Sequence, residues 1–242
     1  MKLLNIYGVG IGALLLGLTS TPAMAVTIDL FSDVEDSNGF QFVLDDTADN
    51  TPVFNTDTSL TGVIGGQRTI EVNKRSGILP GSRNTFIVNE AAKNVTFSSD
   101  TDVSSDFSIA WDGNYGPGGI DLTGGGTQNF FLLEVTSNDL GANLVFDVTD
   151  IDGGTSRISK SVGAGVTGDQ FFSFASATGG GDLTKASSIK LSSTNTTASL
   201  DMRFAFVDTA AAVPFEFSPS MGILFFGGLF GVHRLKKRLK SC

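Results

Sequence analysis

Cysteine and histidine are almost missing from this sequence. Its 242 residues contain one of each, His233 and Cys242, both near the C-terminal end. A body spanning residues 26–212 therefore has neither. That excludes a disulfide within the body, a His-based catalytic triad, a Cys nucleophile and a His/Cys zinc site. Basic charge is also scarce there. The body holds 24 Asp and Glu against 10 Lys and Arg, a formal charge of −14. Nucleic acid needs a basic surface and is excluded as a partner. An acidic surface suits a soluble extracellular setting, or one that gathers divalent cations. Polar aromatics are few: two Tyr and one Trp beside 20 Phe.

What is present falls into three compositional parts. Residues 1–25 form an apolar leader. Lys2 supplies the positive start, Leu3 to Leu18 the apolar stretch, and Ser20, Thr21 and Pro22 the break. Ala23-Met24-Ala25 is an A-x-A cleavage site, and Val26-Thr27-Ile28 reads as a first strand. These elements together predict a secretory signal peptide, cleaved by signal peptidase after Ala25. An uncleaved N-terminal anchor is the alternative, but the run is short for a membrane span.

The body, residues 26–212, is one domain in size and large enough to bury a core. Period-2 alternation recurs along it, in Phe40-Phe42-Leu44, Phe107-Ile109-Trp111, Leu144-Phe146-Val148 and Leu200-Met202-Phe204-Phe206. Each run predicts a strand with those apolar side chains on one face. Phe130 to Val135 is apolar at nearly every position, which suits a strand covered on both faces or one at a tight inter-sheet contact. Turn signals such as Asn38-Gly39, Gly65-Gly66, Gly124-Gly125-Gly126 and Asp152-Gly153-Gly154 separate the runs. Many short strands with Gly-rich turns predict an all-β fold, a two-sheet antiparallel sandwich of jelly-roll type. An N-terminal signal helix and a C-terminal membrane or sorting helix would flank it.

Two constellations are candidates for chemistry. Asp147, Asp150 and Asp152 run into Gly153 and loosely resemble a calcium loop, making Ca2+ the candidate cation; no other cofactor is indicated. The plainer reading is a strand with outward Asp residues entering a hairpin. Around Trp111, the residues Asp112, Asn114 and Tyr115 combine ring and hydrogen-bonding groups suited to a glycan, although Trp111 is in phase with Phe107 and Ile109 and should point inward. A glycosidase would need a spaced carboxylate pair, and nothing in the spacing selects one. The body is therefore read as no enzyme.

The tail, residues 213–242, carries Pro214-Phe215-Glu216-Phe217-Ser218-Pro219, then an apolar run, Met221 to Val232, then Arg234, Lys236, Lys237, Arg238 and Lys240. The apolar run predicts a short membrane helix, and the basic cluster should remain cytoplasmic. An ordinary C-terminal anchor would have the same topology. The order of motif, apolar run and basic end resembles the exosortase sorting signal of the PEP-CTERM family. Residues 214–219 look like its cyanobacterial variant, in which Pro-Phe-Glu stands for Pro-Glu-Pro. Gly65-Gly66-Gln67-Arg68 and Trp111-Asp112-Gly113, ahead of Gly119 to Thr123, also resemble bodies that such signals carry. The resemblance implies transient anchoring in the inner membrane, removal of the tail by an exosortase, and delivery to the cell surface or extracellular matrix. The function expected is that of an exported surface or matrix protein without catalytic activity. A carbohydrate-binding module with a polysaccharide partner is the alternative, and a glycoside hydrolase the second.

Overall fold

A computed structural model describes residues 25–211 apart from 48, 49, 77–80, 195 and 197. The expected signal helix, the sorting helix, Ala23 and the motif Pro214 to Pro219 lie outside the described residues. Ala25 is described and exposed. Among the described residues no helix is long and apolar enough to cross a membrane.

The described chain is built of strands: β1 (Thr27–Asp29), β2 (Phe40–Asp45), β3 (Val53–Asp57), β4 (Arg68–Ser76), β5 (Asn84–Asn89), β6 (Asn94–Ser99), β7 (Ser104–Trp111), β8 (Gln128–Asn138), β9 (Ala142–Asp150), β10 (Thr155–Val162), β11 (Gly168–Ser173), β12 (Thr178–Gly179), β13 (Ala186–Ser193) and β14 (Asp201–Ala211). They form two seven-stranded antiparallel sheets. The first has the order β11-β8-β14-β6-β5-β2, with β1 also on β14. The second has the order β12-β10-β9-β13-β7-β4-β3. The all-β, two-sheet expectation is met.

The core lies between the sheets and follows the period-2 pattern. β9 buries Ala142, Leu144, Phe146 and Val148, and β7 buries Phe107, Ile109 and Trp111. Phenylalanines join the layers. Phe131 of β8 stacks on Phe146 of β9 with ring centroids 4.3 Å apart. Phe97 of β6 meets Phe107 of β7 at 4.5 Å. Each such ring contributes about 1.5–3 kcal/mol by leaving water and leaves no polar group to satisfy. Of the two readings of Phe130 to Val135, the tight inter-sheet contact holds. Phe131, Leu133 and Val135 are buried, whereas Phe130 and Leu132 face outward.

Two strands differ from expectation in phase. In β2 the buried residues are Gln41, Val43 and Asp45, while Phe40 and Phe42 are exposed. The inward side of this edge strand meets polar partners. Gln41 binds Arg68 and the Asn55 and Arg68 carbonyls, and Asp45 accepts from the Lys74 amide. In β14, Met202 and Phe204 face the core, then the register shifts and Val207 replaces Phe206. A bulge of this kind adds a residue and reverses the faces beyond it.

Candidate functional site

The outer face of the second sheet carries a trough whose residues come from strands distant in sequence. Paired residues of an antiparallel sheet share a face, so the register gives its plan. One cross-strand row runs Phe54, Glu71, Ser108, Ser192, Val145 and Ser159. The next runs Thr69, Ala110, Lys190, Asp147 and Arg157. On the other side Asn73 pairs with Asp106. Ser108 and Ser192 are short, so the first row forms the floor. Glu71 stands at the β4 end of the floor, and Lys190, Asp147 and Arg157 on one side and Asn73, Arg75 and Asp106 on the other form the walls. The open space between them is about 320 Å³. Its lining residues come from five strands, β4 to β10, which span about 19 Å at the usual strand spacing.

Charges in the trough are matched. Arg157 Nε lies 2.7 Å from Asp147 Oδ1, and its Nη2 lies 2.9 Å from Oδ2, a two-point pair. Arg75 donates to Asp106 through Nε and Nη2, and through Nη1 to Asn50 Oδ1. Lys190 Nζ is 3.7 Å from Glu71 Oε2. The carboxylate hydrogen bonds push both guanidinium pKa values further up, Arg157 through Asp147 and Arg75 through Asp106. At the β3 edge Phe54 is 68% exposed and stands beside Glu71 on the same face. An exposed ring next to fixed donors and acceptors can hold the apolar face of a sugar while its hydroxyls are bonded at the side.

Asp112, Asn114 and Tyr115, the candidates for holding a glycan, lie outside the trough, and each has a hydrogen-bond partner within the chain. Trp111 is fully buried, as its phase required, and its Nε1 donates to Asp29 Oδ2 at 2.8 Å. Tyr115 is half-buried against the core and donates its hydroxyl to the Trp111 carbonyl. Burial, then the nearby charge of Asp112, push the Tyr115 pKa well up. Asp112 accepts from Gln67 Nε2, and Asn114 Oδ1 accepts from the Gly116 amide. These contacts also explain the two body motifs structurally. Gly113 lies on Gly65 so closely that a Cβ on Gly113 would be 2.0 Å from the Gly65 carbonyl oxygen.

The calcium candidates do not converge. Asp147 belongs to the trough and is held by Arg157. Asp150, an odd number of residues further along the strand, points to the other side and is buried. Its Oδ1 accepts from the Asp152 and Gly154 amides and its Oδ2 from the Asp182 amide. Those hydrogen bonds, the one from Asp182 foremost, hold its pKa below the ordinary value of 3.8. Asp152 is exposed in the turn. Among the described residues no three of His, Cys, Asp and Glu group as metal ligands.

Sequence reasoning missed the trough. Asp147 belongs both to the calcium candidates and to the trough, and Phe54, Glu71, Arg75, Asp106, Arg157 and Lys190 carry no local signal. Only strand pairing brings them together.

No family model matches the chain, and neither does the sequence of any curated protein. Solved structures are similar at a distance. One is the family 11 carbohydrate-binding module of the cellulosomal cellulase Lic26A-Cel5E of Clostridium thermocellum, at 12% identity and a TM-score of 0.41 over 78% of this chain and 95% of that one. The family 11 module of Clostridium thermocellum in complex with a β-1,3-1,4-mixed-linked tetrasaccharide gives 12% identity and 0.40 over 78% and 96%. An exo-β-agarase gives 11% and 0.43 over 78% of this chain but only 25% of that enzyme.

Proposed function

We propose that the protein is an exported, non-catalytic β-sandwich that binds polysaccharide at the cell surface or in the extracellular matrix. The observation that carries this reading is the open polar trough across the second sheet, with an exposed Phe54 at one end. It is long enough for a chain ligand and rich in paired hydrogen-bonding groups. Its carboxylates Glu71, Asp106 and Asp147 each face a cation, which favours holding a ligand over attacking one. The leader and the PEP-CTERM-like tail support delivery through signal peptidase and an exosortase.

Affinity electrophoresis of the protein in gels containing soluble polysaccharides tests the binding. At least one polymer should retard it. Arg157→Ala should weaken that retardation several-fold, since one charge-assisted pair contributes about 1–2 kcal/mol. Asp112→Asn, outside the trough, should leave it unchanged. Absence of retardation across a broad panel would rule the reading out. Intact-mass analysis of protein from its native envelope tests the delivery. A mature chain should begin at Val26 and lack the basic end; a mass extending through Cys242 would leave a plain anchor.

A further inference from the structure

We infer that the ligand of the trough is an uncharged, hydroxyl-rich polysaccharide lying across the strands, with one sugar ring on Phe54. This inference rests on the binding reading above and narrows it to one chemical class. The trough holds three cations, Arg75, Arg157 and Lys190, and each already has its own carboxylate, Asp106, Asp147 and Glu71. No surplus positive charge faces the solvent there, and the body around it is acidic by 24 to 10. A uronate or sulfate group entering the trough would sit beside a carboxylate whether it displaced that carboxylate from its cation or shared the cation with it. Like charges placed together reject such a ligand. A hydroxyl meets no such barrier. It can donate to Asp147 or Asp106 and accept from Arg157 or Arg75 without breaking either pair.

The direction of the chain follows from the register. Along the strands the floor is bordered by Lys190, Asp147 and Arg157 on one side and by Asn73, Arg75 and Asp106 on the other. Across the strands the short Ser108 and Ser192 leave it open between Glu71, which stands beside Phe54 of β3, and the end at Val145 and Ser159. A chain in that direction places one ring over Phe54, at the β3 edge, while the Asp147–Arg157 and Asp106–Arg75 pairs border its two sides further in.

The test uses the full chain in mild detergent, with neutral polymers (mixed-linked glucan, xylan, agarose) and charged ones (alginate, dextran sulfate) at low and high salt. A neutral polymer should bind, with affinity changing less than about twofold between the two salts, since no net charge is neutralised. Phe54→Ala should lower that affinity about tenfold. The variant Glu71→Gln with Asp147→Asn frees Lys190 and Arg157. It should gain binding to alginate at low salt and lose it at high salt. Preferential, salt-sensitive binding of alginate or dextran sulfate by the unaltered chain would overturn the inference and leave the broader reading standing. Undiminished neutral binding by Phe54→Ala would overturn the placement. No binding to any polymer would remove the broader reading, and this inference with it.

Discussion

Arg68 and Asp29 are both fully buried and form a salt bridge of 2.9 Å inside the sandwich. The pair is satisfied on all sides. Asp29 also accepts from Trp111 Nε1 and the Phe31 amide, and Arg68 also reaches Gln41 Oε1 and the Asp33 carbonyl. This knot joins β1, β2, β4 and β7. It explains why an arginine follows Gly65-Gly66-Gln67 and why a tryptophan precedes Asp112-Gly113. Burying two charges costs about as much as their attraction returns, so the pair fixes geometry more than it adds stability. Breaking it is another matter. Arg68→Ala leaves the Asp29 carboxylate buried without its cation and should cost about 3–5 kcal/mol. Urea unfolding of the variant against the unaltered chain measures this. A loss below about 1 kcal/mol, the size of an exposed pair, would show that the knot is not closed to water.

At the scale of elements, strands and turns were legible because apolar alternation and Gly-rich punctuation are local signals. The inward side of β2 was not legible. Phe40 and Phe42 are the more apolar set, but Gln41 and Asp45 are needed inward for Arg68 and the Lys74 amide. A phase rule based on hydrophobicity has no access to partners in other strands. The same limit hid the trough. Glu71, Asp106, Asp147 and Lys190 become neighbours only through the β4-β7-β13-β9 register. The turn after β9 gives a prediction of its own. Asp150 is held ionised by the amides of Asp182, Gly154 and Asp152, with a folded pKa below the ordinary 3.8. A carboxylate whose folded pKa is depressed adds stability above the unfolded value, and that stability is lost as pH falls through the folded value. Asp150→Asn should therefore melt at lower temperature than the unaltered chain at neutral pH. The gap should begin to narrow below 3.8 and close further as the folded value is passed. Melting curves across an acid series check this, and a gap independent of pH would refute it.

At the scale of the molecule, the first sheet is two pieces held together by the last strand. β11-β8 lies on one side of β14 and β6-β5-β2 on the other, and β14 also receives β1. The two ends of the sandwich meet there. The Val26 amide donates to Thr209 Oγ1 at 2.8 Å, and the Thr209 amide returns a bond to the Val26 carbonyl. Within its sheet the first strand thus has no neighbouring strand until the last one is available. The first sheet can close only once β14 is present. β14 brings Met202, Phe204 and Val207 into the core. At about 1.5–3 kcal/mol each, these three side chains contribute as much as the whole net stability of many domains, about 5–15 kcal/mol. A chain ending at Leu200 should therefore remain open, bind a hydrophobic dye and be cut rapidly by protease within β8 and β6. A chain ending at Ala211 keeps every described contact and should resist. Equal protease resistance of the two chains would mean that the two halves of the first sheet hold without β14.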